Sequence, residues 1–191
     1  MLNTGIFIFN DIETLDFCGP LEVFSAANFV SGNKIFNVYT FAEKQVSVST
    51  INGLSINPSF GFQNMPNPDI LIIPGGEGSK KVVENKNSMT FLNDLFGKSQ
   101  FTFTVCSGAR IAAKLGWLKN KKFTTHHTVY NEISALEPLS VACKNLRYTD
   151  NGKLLTSAGV SAGIDLSFYL LEKISGEATA EKTAKYMEYI R

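Results

Sequence analysis

The chain has 191 residues, of which 44% are hydrophobic and 18% charged, and its formal net charge is +1 at pH 7. This length supports one sizeable hydrophobic core and no Pro-, Gly- or Ser-rich linker divides it, so we expect a single domain over residues 1–191. The near-neutral charge argues against a nucleic-acid partner. The N-terminus has neither a basic leader nor an apolar run long enough to span a bilayer, which predicts a cytoplasmic protein with no membrane partner.

Short apolar runs rich in β-branched and aromatic residues alternate with helix-like segments along the chain. The runs predicted as strands are Ile6 to Phe9, Phe36 to Phe41, Ile70 to Ile73 and Phe101 to Val105. Their alternation with helices predicts an α/β fold whose mostly parallel sheet is covered on both faces. The segment from Pro20 to Phe29 is predicted as the first crossover helix, with proline in its first turn.

Two hairpins and two closing helices complete the predicted elements. A surface hairpin is predicted around Asn52-Gly53, outside the main sheet, and a second one around Asp150-Asn151-Gly152. Helices are then predicted from Ile164 to Ile174 and from Ala178 to Tyr189.

The three cysteines, Cys18, Cys106 and Cys143, are odd in number and widely spaced. This pattern fits neither a disulfide framework nor a set of zinc ligands, so we expect no metal site. Each thiol is therefore interpreted from its own neighbours.

Cys106 lies where the strand ending at Val105 meets a predicted helix, with no loop residues between them. A residue at such a junction occupies a tight turn at the carboxyl edge of the sheet, where open α/β folds bind ligands. The following helix favours the thiolate, which predicts an accessible Cys106 nucleophile with a lowered pKa, and the Ser107 N–H would face negative charge on an attacked substrate. The alternative is a buried structural cysteine.

Two other segments are expected at the same edge of the sheet. Gly75 and Gly76 follow a predicted strand, and their N–H groups are candidates to complete an oxyanion hole, although glycines end many strands for steric reasons alone. Asp16 lies between two apolar neighbours in the loop predicted after the first strand. Such surroundings raise the pKa of a carboxyl group and suit proton exchange with a thiol. The alternative role of Asp16 is to cap the following helix.

Motifs spread over nearly the whole chain resemble those of the ThiJ/PfpI superfamily, whose domain is related to class I glutamine amidotransferases. They are Leu15-Asp16-x-x-Gly19-Pro20, Pro74-Gly75-Gly76, Val105-Cys106-Ser107-Gly108-Ala109, Thr124-Thr125-His126 and Ser157-Ala158-Gly159-Val160-Ser161-Ala162-Gly163-Ile164-Asp165. The first and last most resemble isocyanide hydratases and the sensor domains of AraC-type regulators. The resemblance implies a flavodoxin-like three-layer sandwich, usually a homodimer, with no cofactor.

The resemblance also implies a mechanism. Cys106 would be the nucleophile and Asp16 its acid/base partner, while Gly76 and Ser107 would supply backbone donors. The expected activity is hydration of a small-molecule isocyanide, or hydrolysis of a related compact C–N electrophile. The alternatives are an amidase- or protease-related hydrolase, a redox or stress-responsive protein whose Cys106 is reversibly oxidised, and a ligand-sensing module without turnover.

Departures from the family pattern narrow these alternatives. Ser107 stands where protease-like members carry histidine, which argues against a peptidase dyad, and no histidine follows His127, which argues against glutaminase chemistry. AraC-type regulators continue into a helix-turn-helix region after this domain. Because the sequence ends at Arg191, we expect an enzyme rather than a transcription factor.

Three further residues are candidates for supporting roles. His126 occupies the family's Thr-Thr-His position and either serves as a structural hydrogen-bonding group or takes part in catalysis. Cys18 either tunes the site or packs beneath its loop. Glu22 belongs to the family pattern but equally suits a solvated or dimer-facing charge, whereas Glu13 has no counterpart in that pattern. The sequence does not indicate a role for His127.

Overall fold

The computed structural model describes residues 1–191, which form a seven-stranded sheet, two small two-stranded sheets and flanking helices. The strands are β1 Leu2–Phe7, β2 Phe36–Ala42, β3 Val48–Ser49, β4 Ser55–Ile56, β5 Phe60–Gly61, β6 Ile70–Ile73, β7 Phe101–Thr104, β8 Lys122–Phe123, β9 Val141–Ala142, β10 Tyr148–Asn151 and β11 Leu154–Ser157. The helices are α1 Thr14–Ser31, α2 Ser79–Glu84, α3 Lys86–Lys98, α4 Ala109–Lys114, α5 Tyr130–Leu136, α6 Ala162–Ser175 and α7 Glu177–Tyr186, with a short 3₁₀-helix at Cys106–Gly108.

The main sheet has the strand order β10-β11-β7-β6-β1-β2-β5, and only the β10–β11 pair is antiparallel. Helices α1, α6 and α7 pack together, and α2 to α5 form a second group. Because the chain steps in opposite directions across the sheet after β1 and after β6, right-handed crossovers place these two groups on opposite faces. The arrangement confirms the predicted flavodoxin-like three-layer α/β fold.

The direction of the chain reverses at β1, which pairs with β2 on one side and with β6 on the other. In open α/β sheets, ligands bind outside the carboxyl ends of the strands at such a reversal. The segments that follow β1, β6 and β7 meet here, and Cys106 lies two residues beyond the last of these strands. The fold therefore brings the three sequence motifs to one edge of the sheet.

The first helix begins six residues earlier than predicted, at Thr14 rather than Pro20. Asp16 consequently lies in the first turn of α1 and not in a loop. Pro20 lies inside the helix, where it has no N–H to donate to the carbonyl four residues earlier. Next to this proline, α1 packs closely against α6. A Cβ on Gly19 would lie only 2.8 Å from a side-chain carbon of Ile164.

The two predicted hairpins are confirmed, with different roles in the sheet. The hairpin β3–β4 forms its own two-stranded sheet, whereas β11 of the second hairpin also pairs with β7 and belongs to the main sheet. The closing helices α6 and α7 are confirmed to within a few residues. The two-residue strands β5, β8 and β9 are too short to produce a sequence pattern. None of the helices combines the length and the hydrophobicity that spanning a bilayer requires.

Candidate functional site

Cys106 forms a sharp turn between β7 and the 3₁₀-helix and has a φ of +58°. A non-glycine residue rarely adopts this left-handed conformation, which has to be held by its surroundings. The Cys106 N–H donates to the Ala158 carbonyl (3.2 Å), and Thr125 Oγ1 donates to the Cys106 carbonyl (2.6 Å). These bonds fix the backbone of a nucleophile elbow, and the residue is only 7% exposed.

Asp16 is completely buried, and its two carboxylate oxygens have different surroundings. Oδ2 accepts a hydrogen bond from the Gly75 N–H (2.8 Å). Oδ1 is buried without a partner in ordinary hydrogen-bond geometry, although the carboxyl and the Cys106 thiol lie close enough to influence each other's ionisation. An unpartnered buried carboxylate oxygen is costly, and each such oxygen in a folded protein calls for an explanation.

The glycine-rich turn after β6 holds this arrangement together. A Cβ on Gly75 would lie 2.6 Å from the backbone nitrogen of Ser107, so the turn and the elbow touch through their backbones. Gly76 has a φ of +117°, which favours glycine. Its N–H donates to Ser107 Oγ (2.9 Å). The Gly75 N–H therefore donates to Asp16, and the Gly76 N–H donates to Ser107. The sequence predicted both N–H groups as candidate oxyanion donors, but in this structure each already has an acceptor.

The ionisation of the two catalytic candidates differs from the prediction in one case. Burial raises the pKa of Asp16 to about 7, which confirms the predicted upward shift. Burial, followed by the charge of Asp16, raises the pKa of Cys106 to about 12, so the prediction of a lowered thiol pKa was wrong. The reason is that the thiol is buried beside the Asp16 carboxyl, and both burial and the neighbouring negative charge disfavour the thiolate.

Two backbone N–H groups nevertheless face the sulfur and favour its thiolate form, those of Val160 and Ser107. Val160 has a φ of +46°, which is a strained conformation for a β-branched residue. The donor from Ser107 was predicted, whereas Val160 was missed because a left-handed valine leaves no sequence signature.

Cys106 lines a solvent-open cavity of about 360 Å³. Its lining includes backbone and side chains from the elbow, the glycine-rich turn, the β3–β4 hairpin and α5. The lining residues are Glu13, Ile51, Gly76, Glu77, Lys80, Cys106, Ser107, Arg110, His126, Thr128, Val129, Glu132 and Val160. This volume suits a compact small molecule.

A buried arginine, Arg110, contributes to the lining of the cavity. Arg110 is 3% exposed, and its guanidinium pairs with Glu132 and donates to Ser79 Oγ. Ser79 Oγ in turn donates to the Gly76 carbonyl (2.6 Å). The pairing with Arg110 holds the pKa of Glu132 below its ordinary value. This chain of bonds ties the glycine-rich turn to α4 and α5.

The supporting candidates separate into two groups. His126 lines the cavity, its Nδ1 is within 2.8 Å of Thr128 Oγ1, and burial followed by neighbouring His127 lowers its pKa. Cys18 and Glu22 lie on α1 outside the lining of the cavity, and burial followed by the charge of Glu22 raises the pKa of Cys18. Glu13, which the sequence ranked low, does line it.

Comparisons with known proteins agree with this architecture. The sequence model of the DJ-1/PfpI family matches residues 4–173. An isonitrile hydratase of Pseudomonas putida is 27% identical over 188 residues, which cover 98% of this chain and 78% of that protein. The HTH-type transcriptional regulator GbdR of Pseudomonas aeruginosa is 23% identical over 98% of this chain, which spans half of the regulator. A THiJ/PfpI family protein from Pseudomonas syringae has the same fold, with a TM-score of 0.90 at 22% identity over 100% of this chain and 76% of that one. The chain therefore belongs to the DJ-1/PfpI family.

Proposed function

We propose that the chain is a cysteine-dependent isonitrile (isocyanide) hydratase that acts through a covalent Cys106 intermediate. The observation that carries this proposal is that Cys106, which lines a small cavity, lies close to the buried carboxyl of Asp16, whose Oδ1 has no hydrogen-bond partner. Similarity to the Pseudomonas putida isonitrile hydratase supports the choice of substrate class.

In the first step, Asp16 takes the thiol proton as the sulfur bonds to the terminal carbon of the isocyanide. The same carboxyl then delivers that proton to the carbon, and the product is a thioimidate, R–N=CH–S–Cys106. The N–H groups of Val160 and Ser107 stabilise the sulfur while it carries negative charge. No net proton is gained or lost in this half of the reaction.

In the second step, water adds to the thioimidate carbon, with its hydroxyl bonding to carbon and its proton passing to nitrogen. The C–S bond then breaks as the C=O bond forms, and the hydroxyl proton returns through Asp16 to the sulfur. The overall reaction is R–NC + H₂O → R–NH–CHO, and the enzyme recovers its starting state. One proton shared between the thiol and the carboxyl is sufficient for both steps.

The shared proton fixes the direction of the pH dependence. Below the pKa of Asp16, about 7, the Asp16 carboxyl and the Cys106 thiol are both protonated, and Asp16 can no longer accept the thiol proton. We expect kcat/KM to rise as the pH passes upward through this value and then to level off.

The test is to incubate the purified chain with cyclohexyl isocyanide and to follow the formyl proton of the product by NMR. We expect Cys106→Ser to lose about a thousandfold or more of the rate. Cys143→Ser, a matched change at a cysteine outside the cavity, should retain it. Absence of formamide from the folded wild type with both alkyl and aryl isocyanides would overturn the proposal.

The same samples decide between this proposal and its alternatives. Hydrolysis of small amides without isocyanide turnover would indicate the amidase class, and ligand binding without turnover would indicate a sensor. The raised pKa of Cys106 argues against rapid reaction with peroxide, because the thiolate is the reactive form.

A homodimer and a cytoplasmic location stay predictions, and light scattering of the purified chain tests the former.

A further inference from the structure

A second cavity, of about 280 Å³, adjoins the one that contains Cys106. The two share His126 and Val160 in their linings, so these residues form the boundary between them. Gly159 packs against His126, where a Cβ would approach the ring to 2.3 Å. The two cavities are therefore neighbours, separated by His126 and Val160.

The lining of the second cavity is basic. It contains Lys144, Arg147, His126 and His127, and it contains no carboxylate. Lys80 and Arg110 of the first cavity pair with Glu77 and Glu132, and Arg147 of the second cavity pairs with Asp165. Lys144 is therefore the one cation of the two linings that has no acidic partner.

Two basic side chains of the second cavity have N–H groups without a hydrogen-bond acceptor. Lys144 takes part in none of the chain's ion pairs, and its ammonium lies over the ring of Tyr130, 5.8 Å from the centroid, in the same lining. Arg147 bonds to Asp165 and Ser161 through Nε and Nη2 only, which leaves Nη1 free. An arginine held by its other nitrogens is well placed to bind a carboxylate or a similar anion.

We propose that the substrate of Cys106 carries an anionic group, which binds Lys144 and Arg147 in the second cavity while the reactive carbon reaches the thiol. The proposal rests on the function proposed above and names the substrate class: a compact, negatively charged electrophile, for which an isocyanide bearing a carboxylate is the model. Binding requires no additional group, because the cationic donors are already in place.

The test compares two alkylating reagents that differ mainly in charge, iodoacetate and iodoacetamide. The rate of carboxymethylation of Cys106 is divided by the rate of its carbamidomethylation, each followed by peptide mass spectrometry, so that Cys18 and Cys143 are scored separately. The ratio cancels the thiolate fraction, which is the same for both reagents in one protein at one pH. N-acetylcysteine gives the reference ratio for a free thiol.

We expect the ratio at Cys106 to exceed the reference ratio and to fall about threefold or more in Lys144→Gln, with a further fall when Arg147→Gln is added, because each change removes one nearby positive charge. Lys34→Gln makes the same change of net charge at an exposed lysine outside both cavities and should leave the ratio unchanged. A ratio at or below the reference that does not respond to Lys144→Gln would overturn the proposal.

A second readout separates this inference from the proposed function. Hydration of isocyanoacetate is compared with hydration of its methyl ester, and Lys144→Gln should lower kcat/KM for the anion but not for the ester. A charge-dependent alkylation ratio without any hydration would retain the anion site and overturn the hydratase. Hydration of the ester with an unresponsive ratio would retain the hydratase and overturn the anion site.

Discussion

The two sides of the Cys106 sulfur differ sharply in their surroundings. The inner side, formed by Asp16, Gly75 and Ser107, is almost entirely buried and contains one carboxyl group. The outer side, formed by His126 and the two cavities, is open and carries charges of both signs. In the proposed function these surroundings divide the tasks: the inner side would control the proton and the outer side would select the molecule.

The largest effect that tests this division is the loss of hydration in Asp16→Asn. The amide keeps the shape of the side chain and an acceptor for the Gly75 N–H, but it cannot take the thiol proton. We expect the hydration rate to fall by about 10²- to 10⁴-fold. Because the charge of Asp16 raises the pKa of Cys106, the same variant should be alkylated by iodoacetamide at lower pH than the wild type. An unchanged alkylation profile would show that the two groups are not coupled.

The free energy of unfolding should show the cost of burying the ionised Asp16 carboxylate. Asp16 has its folded pKa raised from 3.8 to about 7, so the folded state binds more protons between these values, and stability falls as the pH rises through that window. Asp16→Asn has no such ionisation and should be more stable than the wild type by about 2–4 kcal/mol above neutral pH. Denaturant titrations should show this gain disappearing below the ordinary pKa of aspartate. Equal stabilities at neutral pH would contradict the burial of a charged Asp16.

A smaller effect is expected from Gly75→Ala, which tests the close backbone contact of the inner side. The added methyl would lie 2.6 Å from both the backbone nitrogen and Oγ of Ser107. We expect a loss of about 1–3 kcal/mol in stability, together with slower hydration. Gly97→Ala is the matched control, because nothing lies within 4 Å of its Cβ position inside helix α3, and it should stabilise the fold slightly. Equal effects from the two alanines would contradict the proposed contact.

The smallest effect is expected from Cys18→Ser. Cys18 lies on α1 outside the lining of either cavity, so its thiol contributes to neither side of the sulfur. Hydration kinetics should stay within about twofold of the wild type, as is usual for changes away from a reaction centre. A large change in kcat at constant stability would restore Cys18 as a tuning residue.

The sequence predicted the order of the major elements and the meeting of Asp16, the glycine-rich turn and Cys106 at one edge of the sheet. These predictions succeed because apolar periodicity and chain reversal are encoded locally. The start of α1 was missed because packing of Gly19 against α6 overrides the usual position of proline. The pKa of Cys106 was missed because desolvation depends on atoms distant in the sequence.

The cavity beside Cys106 depends on a part of the chain that the main sheet does not need. The hairpin β3–β4 forms a separate small sheet and joins the site through the bridge between Ile12 and Thr50, which places half-exposed Ile51 in the lining. Loops of this kind tolerate substitution and changes of length far better than buried strands do. Varying the hairpin tip around Asn52 and Gly53 should therefore change the shape of the cavity while leaving the main sheet, Asp16 and Cys106 in place.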